Sequence, residues 1–378
     1  MHVPIAIALG GLILAAPHCR GQEVVGKPCL FSDYFAEWRT FPSILRDAGG
    51  NLACGRHRLN HGGATQAPPA AGNVAATAIR RIGGGPQGHF TYRDAGGAIH
   101  DLWFERYREK DRWHAEQLNR GGRTGAPAAA GDPSGVEFRG EFHVVYRDLA
   151  GGIQDLWCGG AWQARRLGSR DAPRSAGEPV QSVHGEVRHV LYRDLDGNLL
   201  DLLGHAPGRP LRLNAGGATD APPAAGDPVL ARVGQACHVL YRDLEGGIQD
   251  LWDDGSWHVR RLNAGGATDA PLAQGEPCAR VVEGRTLHVT YRDAAGNLQD
   301  LQSGAPWQAQ RLNRGGLTDA PPAGADPVCL VPPSNWEYVA YVDITGNAQL
   351  LSRGQDGPWR ATWLNAPDLR FVGGTFLP

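Results

Sequence analysis

The chain has 378 residues, with 53 Gly, 27 Pro and a formal net charge of −2. That length exceeds one ordinary domain unless the chain repeats, and no basic stripe interleaves with aromatics, which argues against a nucleic-acid partner. Eleven Trp against a single Met indicate rigid aromatic surface, not a plastic Met-rich groove.

In chain order, residues 1–22 stand apart. Val3 to Ala16 is apolar apart from Gly and Pro, small residues follow, and no Lys or Arg precedes the run. The segment reads as a secretory signal with a weak charged region, too short to span a bilayer. Its other reading is a degraded strand, because Met1-His2-Val3 faintly echoes the repeat that follows. The expectation is therefore a signal peptide over 1–22, one domain over 23–378, a secreted chain and no membrane span.

From there the motif H-V-x-Y-R-D recurs, at His89–Asp94 (as HFTYRD), His143–Asp148, His189–Asp194, His238–Asp243 and His288–Asp293. Poorer copies begin and end the series at Pro42–Asp47 and Tyr338–Asp343. The motif Asp falls at 47, 94, 148, 194, 243, 293 and 343, at spacings of 47, 54, 46, 49, 50 and 50 residues. A period in this range with several short strands per unit is the signature of a propeller. The Gly and Pro sit at fixed places in each unit, so they are turn chemistry and not disorder.

Residues 227–266 show one unit. Pro228 to Val233, Cys237 to Asp243, Ile248 to Asp253 and Trp257 to Leu262 read as four antiparallel strands. The stretch from Asn263 links to the next unit. Its pattern, LNxGGxTxAP as in Leu213–Pro222, reads as a blade-to-blade connection whose Gly and Pro fix backbone shape. The fold class is all-β: a β-propeller of seven blades with four antiparallel strands each, or six plus a degenerate blade. The last unit is complete. The first is short, because Asn51-Leu52 runs almost at once into Arg58-Leu59-Asn60, and a strand is expected to be missing there.

The D-x-x-G at Asp148, Asp194, Asp243, Asp293 and Asp343 suits a type I turn with a G1 bulge. That turn sets a register in which Asp243 faces Gly247, Leu240 faces Asp250 and His238 faces Trp252. With side chains alternating, His238, Asp250 and Trp252 share one face, and Val239, Tyr241 and Leu251 the other. The candidate set repeats as His89/Asp101/Trp103, His143/Asp155/Trp157, His189/Asp201, His238/Asp250/Trp252 and His288/Asp300. A further Trp opens the fourth strand at Trp113, Trp162, Trp257, Trp307 and Trp359. A carboxylate, an imidazole and an indole face are what a sugar pocket needs: polar groups for hydroxyls and a flat surface for pyranose C–H bonds. Each polar contact is worth only about 1 kcal/mol net, so one site is weak and several act by avidity.

The same pattern fits a structural account. His and Asp can satisfy groups between blades, and a repeated Trp can fill the core. Arg242 is expected to pair with a neighbouring Asp or cap a turn. Seven Cys, at 19, 29, 54, 158, 237, 278 and 329, show no CxxC spacing. Cys29 and Cys278 occupy the same repeat position in different blades, and an exported chain could pair some of the seven.

The unit H-V-x-Y-R-D-x-x-G-x-I-x-D-L-W…W resembles the repeats of β-propeller lectins over roughly residues 40–365. The groups it is most similar to are the seven-bladed bacterial lectins of the Photorhabdus type and, more distantly, the six-bladed fungal fucose-specific lectins. The resemblance implies sugar pockets between adjacent blades, glycan partners that are fucosylated or O-methylated, a homo-oligomer and no catalysis. In the fungal lectins an Arg and a Glu hold the sugar. The aligned positions here are His238 and Asp250, a departure that removes a fixed cation.

A propeller glycosidase needs one asymmetric pair of carboxylates, whereas the acids here are spread evenly, one per blade. No nucleophile elbow, zinc-protease or phosphate-loop motif stands in a supporting context, and two ligands per blade make a poor metal site. The reading is a non-enzymatic lectin-like protein without cofactor, with up to five related sugar sites. A protein-interaction scaffold is the alternative.

Overall fold

The computed structural model describes residues 27–30, 43–54, 57–79, 87–107, 110–203, 209–330, 336–354 and 357–364. The expected signal segment lies outside them.

Seven four-stranded antiparallel sheets follow one another along the chain. Their first strands are Cys29–Leu30, Ala75–Ile79, Ser134–Phe138, Val180–His184, Val229–Val233, Cys278–Val282 and Val328–Leu330. Each first strand lies against the first strand of the next sheet, and that of the seventh lies against that of the first. The sheets therefore stand as blades around a closed ring, with the first strands innermost. Closure leaves each blade flanked by two others, so both of its faces can be buried.

The fifth blade shows how the sequence does this. Its strands are Val229–Val233, Ala236–Arg242, Ile248–Asp253 and Trp257–Arg261. His238 pairs with Trp252 and Leu240 with Asp250, the register expected from the turn. The turn itself is held by the Asp243 carboxylate, which accepts from the amides of Glu245 and Gly247. Gly246 takes φ +83°, a left-handed conformation suited to glycine. On one face Val239, Tyr241 and Leu251 are buried against Leu191, Leu199 and Leu213 of the fourth blade. On the other, Leu240 is buried against Val289, Tyr291 and Leu301 of the sixth. Each such side chain contributes about 1.5–3 kcal/mol when fully buried.

The connections between blades are stapled by two residues of the repeat. Asn263 is fully buried; its Oδ1 accepts from Ile248 N, and its Nδ2 donates to the carbonyls of Gly246 and Pro271. Asn60, Asn119, Asn214 and Asn313 do the same at their own turns. The Tyr of Y-R-D donates to the connection from the preceding blade, as Tyr241 Oη does to the Pro222 carbonyl.

The Arg of Y-R-D reaches towards the acid that precedes the next blade's first strand. Arg93 approaches Asp132, Arg193 approaches Asp227 and Arg292 approaches Asp326, at 3.5–3.8 Å. Those acids belong to a ring position occupied by Lys27, Asn73, Asp132, Glu178, Asp227, Glu276 and Asp326. Lys27 Nζ contacts Glu276 at 2.6 Å and Asp326 at 4.0 Å, tying the start of the described chain to the sixth and seventh blades.

The first blade corrects the expectation of a missing strand. It has four: Cys29–Leu30, Ser43–Arg46, Leu52–Cys54 and His57–Arg58. They are short, and only two residues separate the last pair, which is why the pattern looked truncated. Cys278 and Cys329 form a disulfide between the first strands of the sixth and seventh blades.

Candidate functional site

Each of the five expected His/Asp pairs is a direct contact through Nδ1. The distances are 2.7 Å for His89–Asp101, 3.1 Å for His143–Asp155, 2.7 Å for His189–Asp201, 2.7 Å for His238–Asp250 and 3.0 Å for His288–Asp300. The cause is the register: the two residues stand on adjacent strands, two positions offset, on one face. The three expected Trp extend the same row. His89 and Trp103, His143 and Trp157, and His238 and Trp252 lie with their rings within 17° of parallel, their centroids 6.0–6.3 Å apart.

Depth separates the members. Asp101, Asp155, Asp250 and Asp300 are fully covered, and Asp201 nearly so. The His rings are mostly buried, His189 being the most exposed of them. Trp103, Trp157 and Trp252 are half-buried and present surface at the groove rim. The carboxylates thus act from behind, orienting imidazoles, while the indoles face outward.

Four arginines join the set. Arg165 and Arg260 lie on fourth strands, directly opposite Asp155 and Asp250, and donate to those carboxylates at 3.0–3.2 Å. Their guanidinium groups lie over Trp157 and Trp252, and Arg260 is also 4.8 Å from the Trp307 ring of the next blade. A cation over an indole face is an attractive arrangement. Carrying the strand register one strand further would have found both. Arg188, fully buried, crosses from the fourth blade to both oxygens of Asp155. Arg280 holds both oxygens of Asp300 as well as Glu337.

The residue just before the second-strand His of the next blade, or before Tyr338 in the seventh, borders each groove, and it differs every time. Phe142 sets its ring 4.7 Å from His89. Arg188 fills the space at Asp155. Cys237 lies near Asp201, and burial, with Asp201 and Asp253 nearby, pushes its thiol up to about 12. Leu287 is buried in the interface beyond Leu240. Glu337 contacts Arg280 and stands 4.0 Å from His288.

The carboxylates respond accordingly. Burial raises Asp101, with His89 only partly offsetting it. Burial would also raise Asp155, but hydrogen bonds from His143 and Arg188 bring it below the usual range. Burial is outweighed more strongly at Asp300, which Arg280 and His288 hold well below that range. The five grooves are therefore chemically unequal. The His288/Asp300 groove is a sealed ionic network, while those at Trp103, Trp157 and Trp252 keep an aromatic rim. The expected fourth-strand Trp residues face the preceding blade: Trp162 donates to Glu116 of the second blade at 2.7 Å.

Among the described residues no group of three or more His, Cys, Asp or Glu is arranged to hold a metal ion, and no helix is long and apolar enough to cross a membrane.

The closed ring of four-stranded sheets is a β-propeller, a fold shared with solved lectins. The BP39L lectin of Burkholderia pseudomallei superposes with a TM-score of 0.65 at 15% identity, covering 89% of this chain and 98% of that one. The fucose-specific lectin of Aleuria aurantia gives 0.50 at 14% identity over 77% of this chain and 94% of that one. A further structure of the Aleuria aurantia lectin, described as a six-bladed β-propeller with a novel fucose recognition mode, gives 0.50 at 12% over 90% and 96%. These likenesses establish the fold. No family model matches the sequence, and no curated protein matches it.

Proposed function

We propose that this chain is a secreted, non-catalytic carbohydrate-binding propeller whose sugars dock in grooves between blades. The observation that carries the reading is the threefold recurrence of a His–Asp pair with a half-exposed Trp beside it, at the same edge of three blades. The carboxylate fixes the ring orientation of the His, and the indole offers a flat apolar surface to a pyranose. Such a site supplies few kcal/mol, so useful affinity comes from several sites on one rigid ring. The solved lectins of the same fold support the reading, as does their binding of fucose where their names state it. The finer proposal is kinship with the seven-bladed bacterial lectins of the Photorhabdus type, with fucosylated or O-methylated sugars as ligands and assembly into a homo-oligomer. The disulfide supports an oxidising compartment.

The grooves at Trp103, Trp157 and Trp252 are the live ones in this proposal, and that at His288 is closed by Arg280 and Glu337. A glycan array on the purified chain tests it beside a Trp103→Ala, Trp157→Ala, Trp252→Ala variant whose folding is checked by melting. Binding of a narrow sugar set that the variant loses is the expected result. A blank array from folded protein would overturn the lectin reading in favour of a scaffold. Leu149, Leu195, Leu244 and Ile344, exposed at equivalent turn positions, would then be the surface to examine.

A further inference from the structure

One end of the ring carries an apolar circle that the fold itself does not require. Strands alternate in direction, so the turn after each motif Asp and the connection into the next blade lie at the same end, where the first strands begin. The residue that follows the motif Asp is the tip of that turn. It is Leu149, Leu195, Leu244 and Ile344 in four blades, 65–76% exposed. In the other three it is Ala48, Ala95 and Ala294, also exposed. A type I turn accepts most residues at this position, and the Asp carboxylate already holds the turn. Folding therefore does not explain why every tip is apolar.

The connections fill the space from one tip to the next. Ala273 N donates to Gly246 O in the turn of the fifth blade, and Gln274 N to Arg292 O in the sixth, both at 2.8 Å. The bond to the turn Gly recurs at Ala70, Ala129, Ser175, Ala224 and Ala323. Leu272, just before Ala273, packs on the Gly246 turn and floors the space beside the tip. Its counterparts are Pro69, Ala128, Pro223 and Pro322, with Arg174 the exception, and each follows a Pro. Apolar tips thus alternate with apolar floors on hydrogen-bonded backbone. The circle holds about two dozen residues, the number that a standard interface presents on each side, roughly 20–30.

Charge on the circle sits in neighbouring blades. Asp196 and Glu245 follow their Leu tips, the Glu245 side chain being 84% exposed, and Arg174 takes one floor. From the outer rim, Arg261 stands 4.0 Å from Glu245, while Arg120 and Arg314 donate to the Gly96 and Ala295 carbonyls. Inside the circle, the carboxylates of the mouth are met by Lys27 and by Arg93, Arg147, Arg193 and Arg292 of the same ring. A surface laid over the mouth does not meet a bare cluster of acid.

We propose that a second copy of this chain docks on this circle, face to face. The even succession of blades makes the circle self-complementary about a two-fold axis in its plane. With the axis between Leu195 and Pro223, each tip of one ring meets a floor of the other: Leu195 meets Pro223, Leu149 meets Leu272 and Ile344 meets Pro69. The same operation lays Arg174 against Glu245 twice, and that charge complementarity selects the register. His238 and Trp252 stand towards the opposite end of their strands, so the Trp-rimmed grooves of both copies open towards the two outer faces. The assignment rests on the homo-oligomer reading above and names its surface. Joined to carbohydrate binding, it makes the pair a cross-linker of two glycan-bearing surfaces.

The test is sedimentation of the purified chain across micromolar concentrations beside three variants. One combines Leu149→Asp, Leu195→Asp and Leu244→Asp; the second is Glu245→Arg; the third adds Arg174→Glu to the second. All these side chains are exposed, so the variants are expected to fold, and melting checks it. The expected result is a concentration-dependent dimer that the Leu variant abolishes, that Glu245→Arg weakens at least about tenfold and that the double exchange restores. A monomeric native chain, a dimer indifferent to the Leu variant, or a double exchange that fails to restore the dimer would each overturn the assignment. So would a monomer that binds phosphatidylcholine vesicles through the same leucines, which would make the occupant a lipid surface. Cross-linking of glycan-coated beads is read in parallel, and the Leu variant is expected to lose it while still binding single beads. A leucine-dependent dimer with a blank glycan array would sink the carbohydrate reading alone, so the two proposals fail separately.

Discussion

Asp250 and Trp252 sit two positions apart on one strand, yet the structure gives them opposite exposure. The Asp250 carboxylate is fully covered and accepts from His238 and Arg260. Removing one member of a buried ionic set leaves the others uncompensated, a loss of about 3–5 kcal/mol when all are buried. Arg260 is 35% exposed, so Asp250→Ala is expected to fall short of that range, at about 2–3 kcal/mol in a denaturant melt. Trp252→Ala is expected to reduce glycan binding at one groove while shifting the melt by roughly 1 kcal/mol, since the ring is only half-buried and lies among the side chains of Arg260, His238 and His258. An Asp250→Ala protein of unchanged stability that no longer binds sugar would instead make the carboxylate a ligand group.

The connection between blades is where one side chain does the most at the level of the element. Asn263 is the acceptor for the Ile248 amide and a second donor to the Gly246 and Pro271 carbonyls, which also accept from Ala273 N and Tyr291 Oη. Leaving a buried polar group unpaired costs about 1–3 kcal/mol. Asn263→Ala, which leaves the buried Ile248 amide unpaired, is therefore expected to destabilise by about 2–3 kcal/mol in a denaturant melt, against about 1 kcal/mol for Tyr241→Phe, which removes a single donor to Pro222. Equal effects from the two would mean that the Asn staple relaxes or is replaced by water. The strands and their register were legible in the sequence because Asp243 and Gly246 define the turn, and the turn defines every cross-strand pair behind it. The His–Asp contacts followed. What borders the grooves did not follow, because Phe142, Arg188, Cys237 and Glu337 act across the blade interface, and strand alternation says nothing of how one blade meets the next. The fourth strand of the first blade escaped notice because it is only His57–Arg58, too short to show a period.

Closing a ring from repeats concentrates like charge at its inner mouth, and the whole molecule is built around managing it. Carboxylates at the ring position are spaced by the blades, Lys27 occupies one place among them, and Arg93, Arg193 and Arg292 of the Y-R-D motifs approach three of the acids. The Cys278–Cys329 disulfide clasps the last two blades and closes a loop of 51 residues. By chain entropy such a loop is worth about 4 kcal/mol, so thiol reduction is expected to lower the apparent Tm by several degrees, checked by scanning with and without reductant. At Glu178 the management of charge is incomplete. Burial, with Asp132 and Asp227 on either side, pushes its carboxyl up to about 7, and Arg147 offsets this only in part. A group raised above its unfolded value of 4.5 contributes stability that is fully present below pH 4.5 and is lost as the pH rises through about 7. Glu178→Gln keeps an acceptor for the Asp132 amide and cannot ionise. It should therefore match the native chain near pH 4.5 and exceed it at pH 8. The gain is expected to be about 1–2 kcal/mol, since each pKa unit is worth about 1.4 kcal/mol and partial exposure screens the remainder. The measurement is the melting midpoint of both chains from pH 4.5 to 8. A difference between them that does not grow with pH would show that the neighbouring arginines already neutralise Glu178.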